Sequence, residues 1–141
     1  MLALAALAAI GNALFALGQR QASGAPGGLV YVGLCALVAS ALALGCAPLV
    51  GPVPVGLLLR SHWRSVLLSG VGLFLTYVGF NLLYARFGTS PYVVYAALAI
   101  ITTTVGVGYL YLHESLNGYH AVAVVLALAA IGFFWIGQSN L

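Results

Sequence analysis

Length, composition and charge place this chain in a membrane. It has 141 residues, of which 64% are hydrophobic and 4% are charged, and its mean hydropathy is +1.17. A soluble domain covers itself with roughly 25% charged residues, so this composition excludes a water-soluble fold. The net charge of +3 comes from four arginines spread over the chain. That spread excludes the clustered basic patch needed for nucleic-acid binding.

Five apolar segments are each long enough to cross a bilayer, because a hydrocarbon core of about 30 Å requires roughly 17 to 25 apolar helical residues. The first segment could pass for a signal peptide, but it lacks a basic n-region, so we expect a retained helix. In chain order the predicted helices are Leu2–Leu17, Gly28–Leu49, Ser65–Tyr84, Pro91–Leu112 and Ala121–Gly137.

The gaps between these segments contain proline, glycine or charged residues, as loops do. Because the gaps are short, neighbouring helices are expected to run antiparallel. No gap can hold a second domain, so the sequence predicts one all-α transmembrane domain over residues 1–141. Aromatic residues near the predicted helix ends are typical of a membrane interface, and here they are Trp63, Tyr84, Tyr92, Tyr111 and Tyr119.

Few side chains in this chain could serve as catalytic acids, bases or metal ligands. No ionisable acid or base lies in the middle of a predicted helix, and the single carboxylate, Glu114, lies in a predicted loop with His113 and His120. That spacing is not the spacing of known metal sites. We therefore expect no enzyme, no metal and no cofactor. Glu114 is instead predicted to anchor the loop, by accepting hydrogen bonds from amides at the start of the fifth helix.

The two cysteines are not expected to form a disulfide. Cys35 and Cys46 lie in one predicted helix, where eleven residues correspond to roughly 16 Å along the axis. A disulfide spans a much shorter distance. We expect both thiols to be reduced, and either lipid-facing or packed.

Polar side chains inside the predicted helices form two stripes. Tyr77, Asn81 and Tyr84 follow at helical spacing in helix three. The second stripe repeats every seven residues in helix four, and its members are Tyr95, Thr102 and Tyr109. These stripes either line a polar cavity or bond the helices together, at ~0.6 kcal/mol for each bond. The sequence favours neither reading. A tyrosine-rich cavity would suit a neutral, amphipathic or cationic solute. The candidate cavity residues are Asn12, Tyr77, Asn81, Tyr95 and Thr102.

Small residues at helical spacing predict close helix packing, because in lipid they let two backbones approach each other. They also suit a subunit interface. Such residues lie on helices one and five, and the candidates are Gly11, Gly18, Ala123, Ala127 and Gly132.

From residue 82 onwards, the sequence resembles a known family of membrane proteins. The stretch Leu82–Pro91, the helix Tyr92–Tyr111, the following Leu112–Leu116 and a last helix with Gly132 resemble the drug/metabolite transporter superfamily, in particular its EamA-type module. That module has five helices, with a glutamate just after the fourth and a glycine in the fifth. Glu114 and Gly132 stand at the matching places. The chain is more distantly similar to the small multidrug resistance family.

The resemblance implies a transporter, but some family features are missing. The membrane glutamate of the small multidrug resistance relatives has no match in Leu7–Asn12, so their proton coupling is not implied. The arginine common in EamA helix two and the proline common in helix four are also absent. EamA transporters usually carry two modules in one chain, so a single module implies a homodimer or a partner membrane subunit.

Two functions follow from these observations. The first is transport of a small organic solute or lipid-linked metabolite by a dimer of five-helix modules in the lipid bilayer of a bacterial-type inner (plasma) membrane. The second is a non-catalytic transmembrane subunit of a larger complex. Orientation is finely balanced under the positive-inside rule, since Arg60 and Arg64 face one side while Arg20 and Arg86 face the other. This balance would allow insertion in both orientations.

Overall fold

The computed structural model describes residues 2–52 and 54–139, and regular structure in this part of the chain is entirely helical. Every predicted segment forms a helix that is long and apolar enough to span a membrane. The prediction of an all-α polytopic membrane fold is confirmed. The helices are α1 (Leu2–Gln21), α2 (Gly28–Val50), α3 (Val55–Phe87), α4 (Tyr92–Tyr111) and α5 (Gly118–Ser139).

Helix α3 differs most from its predicted bounds. It begins at Val55, ten residues before the predicted start at Ser65, so the segment interpreted as a loop is helical. The two parts of α3 meet at His62, whose φ of −129° and ψ of 20° are not helical. The prediction was wrong here because arginines were read as loop residues, whereas charge ends a membrane span without ending a helix.

Glycines in the left-handed region mark two of the boundaries. Gly27 has φ 81° immediately before α2, and Gly88 has φ 76° immediately after α3. The Gly88 amide donates to the Tyr84 carbonyl oxygen at 3.3 Å, which closes the last turn of α3. Residues with a side chain rarely adopt this backbone conformation, and glycine does so without a steric cost.

Helix α4 changes type along its length. It is α-helical from Tyr92 to Ile100 and π-helical from Ile101 to Tyr111. The wider pattern continues at its end, where the Leu112 amide donates to the Val107 carbonyl oxygen at 2.9 Å. The π-helical part contains three consecutive threonines and two glycines. Both residue types are weak α-helix formers, so this stretch resists the wider geometry less than an alanine or leucine run would.

The chain divides into two compact units, an N-terminal unit of residues 1–88 and a C-terminal unit of residues 89–141. Helices α1, α2 and α3 form the first, and α4 and α5 form the second. The buried side chains of the first unit include Phe80 and Tyr84, and those of the second include Ala97 and Ala127. Most large apolar side chains point outwards, as expected for helices surrounded by lipid. The single transmembrane domain stays a prediction.

Candidate functional site

Aromatic rings join α1 to α3 in the N-terminal unit. Phe15 of α1 lies with its ring centroid 5.0 Å from that of Tyr77 and 5.6 Å from that of Phe80. Phe80 in turn stacks on Tyr84 at 5.2 Å. The predicted Tyr77–Asn81–Tyr84 stripe therefore contacts α1 along part of its length.

A pair of amides continues this contact. The Asn81 side-chain amide donates to Gln19 Oε1 at 3.0 Å, and Gln19 is only 1% exposed. Its Nε2 atom is buried without a hydrogen-bond partner among the described residues. Burying such a donor costs about 1–3 kcal/mol, so the surrounding packing must compensate for it. For Asn81 the structure supports the bonding interpretation over the cavity.

Gln19 was missed from the sequence because it was placed in a loop beyond the first helix. Helix α1 instead runs to Gln21, so Gln19 lies in its last turn. A signal was present, since Asn12 and Gln19 are seven residues apart and such residues share a helix face. Asn12 itself is half-buried on α1.

The side chain of Arg20 also connects α1 to α3, by bonding to a backbone carbonyl of α3. Its Nη1 atom donates to the Tyr84 carbonyl oxygen at 2.9 Å. That carbonyl, which also accepts from the Gly88 amide, lies in the last turn of α3, where a positive charge is favourable. Arg20 therefore stabilises the contact between α1 and α3, in addition to its effect on membrane orientation.

The start of α2 approaches α3 closely at Gly28. A Cβ atom at this position would lie 2.6 Å from Asn81 Oδ1, so the absence of a side chain lets α2 begin beside the amide pair. On α1, a Cβ at Gly18 would lie 3.2 Å from the Tyr31 hydroxyl oxygen, while one at Gly11 would meet nothing described within 4 Å. The predicted packing residue Gly18 therefore faces a neighbouring helix in this unit.

A groove of about 540 Å³ runs between α2 and α3. Its lining is apolar except for two hydroxyl-bearing residues, Ser40 and Tyr77. The α2 side consists mostly of small residues, which leave the space open, and the α3 side carries larger ones. The lining residues are Leu29, Val32, Gly33, Ala36, Ala39, Ser40, Ala43, Gly70, Leu73, Phe74 and Tyr77.

Comparison with known proteins adds no relative at this point. No protein-family model, curated protein or solved structure matches the chain. The shape and lining of the groove are therefore the basis for what it can bind. The resemblance to the EamA-type module stays a prediction.

The small-residue face of α2 was also missed from the sequence. Gly33, Ala36, Ser40 and Ala43 follow at intervals of three and four residues, which places them on one helix face. The small-residue predictions from the sequence concern helices one and five only. Of the predicted cavity residues, Tyr77 lines this groove and Asn81 does not.

Thr102 of α4 bonds within its own helix. The Thr102 hydroxyl donates to the Leu98 carbonyl oxygen at 2.9 Å, and the Tyr92 and Tyr95 rings lie 5.5 Å apart. Tyr95 is 37% exposed. The assumed seven-residue repeat fails beyond Thr102, because a π-helix has more residues per turn than the 3.6 of an α-helix. Tyr109 accordingly lines a separate hollow with Asn117 and His120, which Thr102 does not reach.

Two reciprocal hydrogen bonds between Asn117 and His120 hold the start of α5. The His120 amide donates to Asn117 Oδ1 at 3.1 Å, and the Asn117 amide donates to His120 Nδ1 at 3.1 Å. This is the geometry of a capping box with histidine as the third residue. Asn117 thus provides the cap that was expected from Glu114.

Glu114 contacts the preceding helix. Its amide donates to the Gly108 carbonyl oxygen at 2.9 Å, and its Oε2 atom lies 3.0 Å from where a Cβ of Gly108 would be. Gly108 is buried, so this carboxylate lies over the end of the π-helical segment. A role for Glu114 as a loop anchor stays a prediction, with α4 as the element it contacts.

The predicted packing residues of α5 differ in their surroundings. Ala127 is buried, Ala123 is exposed, and a Cβ at Gly132 would meet nothing described within 4 Å. Ala127 packs inside the C-terminal unit. Ala123 and Gly132 lie on surface that lipid or another chain can cover.

Proposed function

We propose that this protein is a membrane transporter for a small amphipathic organic solute or lipid-linked metabolite, and that it acts as a dimer of five-helix modules. The observation that supports this most is the groove between α2 and α3. Its volume of about 540 Å³ lies within the range of roughly 300–1,000 Å³ that is usual for small-molecule sites.

The chemistry of the lining favours an amphipathic ligand. Apolar side chains of α2 and α3 would contact a hydrocarbon or aromatic part, and the Ser40 and Tyr77 hydroxyls would bond a polar part. The Tyr77 ring can also contact a cation through its face. The N-terminal unit contains no aspartate or glutamate, so charge pairing with a basic ligand is not part of the proposal.

A dimer would supply the two repeats that repeat-built carriers use. Carriers built from repeats move one repeat against another around a binding site near the membrane midplane. A chain with five spanning helices supplies one repeat, and a second copy supplies the other. The near balance of arginines between the two sides permits antiparallel as well as parallel pairs.

Flux through liposomes tests the proposal. The purified chain would be reconstituted with DNA trapped inside, so that entry of the aromatic cation ethidium gives fluorescence, and a fluorescent lipid-linked sugar would be assayed in parallel. We expect the wild type to move at least one probe. Ala36→Trp fills the groove and should lower this flux at least tenfold. Ala41→Trp, on the same helix but outside the lining, should leave it unchanged. Flux of neither probe above protein-free liposomes would contradict the proposal.

A second candidate is a non-catalytic subunit of a larger membrane complex. The pairing of Asn81 with Gln19 favours it, because that polar pair serves helix packing and not a cavity. In this case the groove would receive a helix of the partner. Ala36→Trp would then release the partner in a pull-down from the native membrane, and flux would be absent from the wild type as well.

A further inference from the structure

The start of α3 has a composition unlike the rest of the chain. Val55, Leu57, Leu58 and Leu59 are at least 51% exposed, and they are followed directly by Arg60-Ser61-His62-Trp63-Arg64. Two arginines, a histidine and a tryptophan thus follow an exposed apolar turn. The non-helical φ and ψ of His62 separate this turn from the remainder of the helix.

Helix length shows that this turn extends beyond the spanning part. At 1.5 Å per residue, the 22 residue-to-residue steps from Arg64 to Arg86 cover about 33 Å, which matches a hydrocarbon core of about 30 Å. The two arginines therefore lie at opposite headgroup levels. The segment before Arg64 lies beyond the span, yet its leucines are apolar, so water is a poor environment for it. The interface between headgroups and acyl chains suits both its apolar and its basic residues.

The counter-ions for these arginines must come from outside the unit. Residues 1–88 include all four arginines of the chain and no aspartate or glutamate. Arg20 already donates to the Tyr84 carbonyl oxygen, and the Arg64 guanidinium lies 5.4 Å from the centroid of the Trp63 ring. A tryptophan at this depth places its indole among the headgroups, and with it the guanidinium of Arg64.

We propose that Val55–Arg64 is an interfacial element that binds the phosphates of anionic phospholipids through Arg60 and Arg64, with Leu57–Leu59 and Trp63 at the edge of the hydrocarbon. Guanidinium groups bind phosphate oxygens with paired donors, and each basic residue near an anionic surface contributes a favourable charge interaction. The proposal is independent of transport, because it concerns the lipids around the protein and not a transported solute.

Tryptophan fluorescence tests the element directly. The chain has two tryptophans, Trp63 and Trp135, so in a Trp135→Phe background Trp63 is the only reporter. The full chain, in neutral-detergent micelles, would be titrated with brominated phosphatidylglycerol or with brominated phosphatidylcholine, both of which quench nearby indole rings. We expect half-maximal quenching of Trp63 at a phosphatidylglycerol concentration about 25-fold lower than that of phosphatidylcholine, since each of the two arginines contributes about fivefold.

Matched variants test which arginines cause the preference for phosphatidylglycerol. Arg60→Gln/Arg64→Gln should bring the two titration curves together, whereas Arg86→Gln, at the other end of the same helix, should leave them apart. Trp63→Phe makes Trp135 the reporter, and its quenching should not distinguish the lipids. If the double variant elutes as an aggregate, each single variant should still lower the preference about fivefold.

Three outcomes would overturn the proposal. The first is equal quenching of Trp63 by both lipids. The second is an equal effect of Arg86→Gln and of the double variant, which would indicate net charge alone. The third is loss of the preference in inorganic phosphate but not in chloride of matched ionic strength, which would assign the site to free phosphate.

Discussion

The two units of this chain use their polar side chains in different ways. In the N-terminal unit, polar groups bond across helices: Asn81 of α3 bonds Gln19 of α1, and Arg20 of α1 bonds the Tyr84 carbonyl of α3. In the C-terminal unit, Thr102 bonds its own helix and Asn117 pairs with His120 three residues away. Lipid tails supply no hydrogen bonds, so a polar group inside the hydrocarbon is stabilised by bonding to protein. The N-terminal unit also contains local bonds, from Ser61 to the Leu57 carbonyl oxygen and from Thr76 to the Gly72 carbonyl oxygen, so its bonds between helices are what set it apart in this comparison.

This difference predicts where substitutions will be felt most. Bonds and ring contacts between helices in the N-terminal unit hold its tertiary structure together, whereas local bonds in the C-terminal unit hold single turns. Four comparisons test the contrast, all by the free energy of unfolding in mixed micelles titrated with sodium dodecyl sulfate and followed by circular dichroism.

The largest effect is expected for Phe80→Ala. Phe80 is 4% exposed and contacts the rings of Phe15 and Tyr84, so its removal leaves a cavity and should cost about 3 kcal/mol. Phe133→Ala, at a position that is 76% exposed, is the matched control and should cost under about 1 kcal/mol. Equal losses at the two positions would contradict the contact between α1 and α3.

A somewhat smaller loss is expected for Gly28→Ala. The added methyl would lie 2.6 Å from Asn81 Oδ1, so Asn81 must move and its bond to Gln19 must lengthen or break. Leaving buried amides unpaired should cost about 2 kcal/mol. Gly45→Ala on the same helix meets nothing within 4 Å and should stabilise the protein by up to about 1 kcal/mol. A stabilising Gly28→Ala would show that α2 does not start beside Asn81.

The capping pair of the C-terminal unit predicts an intermediate effect. Asn117→Ala removes the acceptor for the His120 amide and should cost about 1 kcal/mol, as other cap removals do. Glu114→Gln keeps the shape of the side chain that lies over Gly108, and it should cost less. A larger loss for Glu114→Gln would restore Glu114 as the principal anchor of this loop.

The smallest effect is the coupling between Gln19 and Asn81. Single replacements by leucine and their combination form a double-mutant cycle, and the coupling energy should be ~0.6 kcal/mol, as for other hydrogen bonds between membrane helices. A cycle on Thr102, which donates to the Leu98 carbonyl oxygen, and Asn117, which pairs with His120, should give no coupling. Zero coupling at Gln19 and Asn81 would remove the bonding interpretation of the α3 stripe.

The sequence by itself determined the five spanning helices and the all-α class. Both follow from local composition, because an apolar run of sufficient length in lipid must satisfy its backbone internally and therefore must be helical. Helix ends were predicted wrongly where charged or polar residues were taken as loop, as at the start of α3 (Val55) and the end of α1 (Gln21). A polar residue marks the end of the hydrocarbon but does not interrupt the hydrogen bonds of a helix.

Tertiary structure decided which polar residues meet and where space remains. The stripe of Tyr77 and Asn81 was visible as a helix face, but whether it faced a cavity or a neighbour depended on the path of α1, which brings Gln19 to Asn81. The groove beside Ser40 depends on how closely α2 approaches α3, and the π-helical turns of α4 depend on hydrogen bonds five residues apart. The amide pair and the groove result from packing between residues distant in sequence, which a periodicity in one segment does not contain, whereas the π-helical turns are a local change of hydrogen bonding that the apolar run of α4 does not reveal.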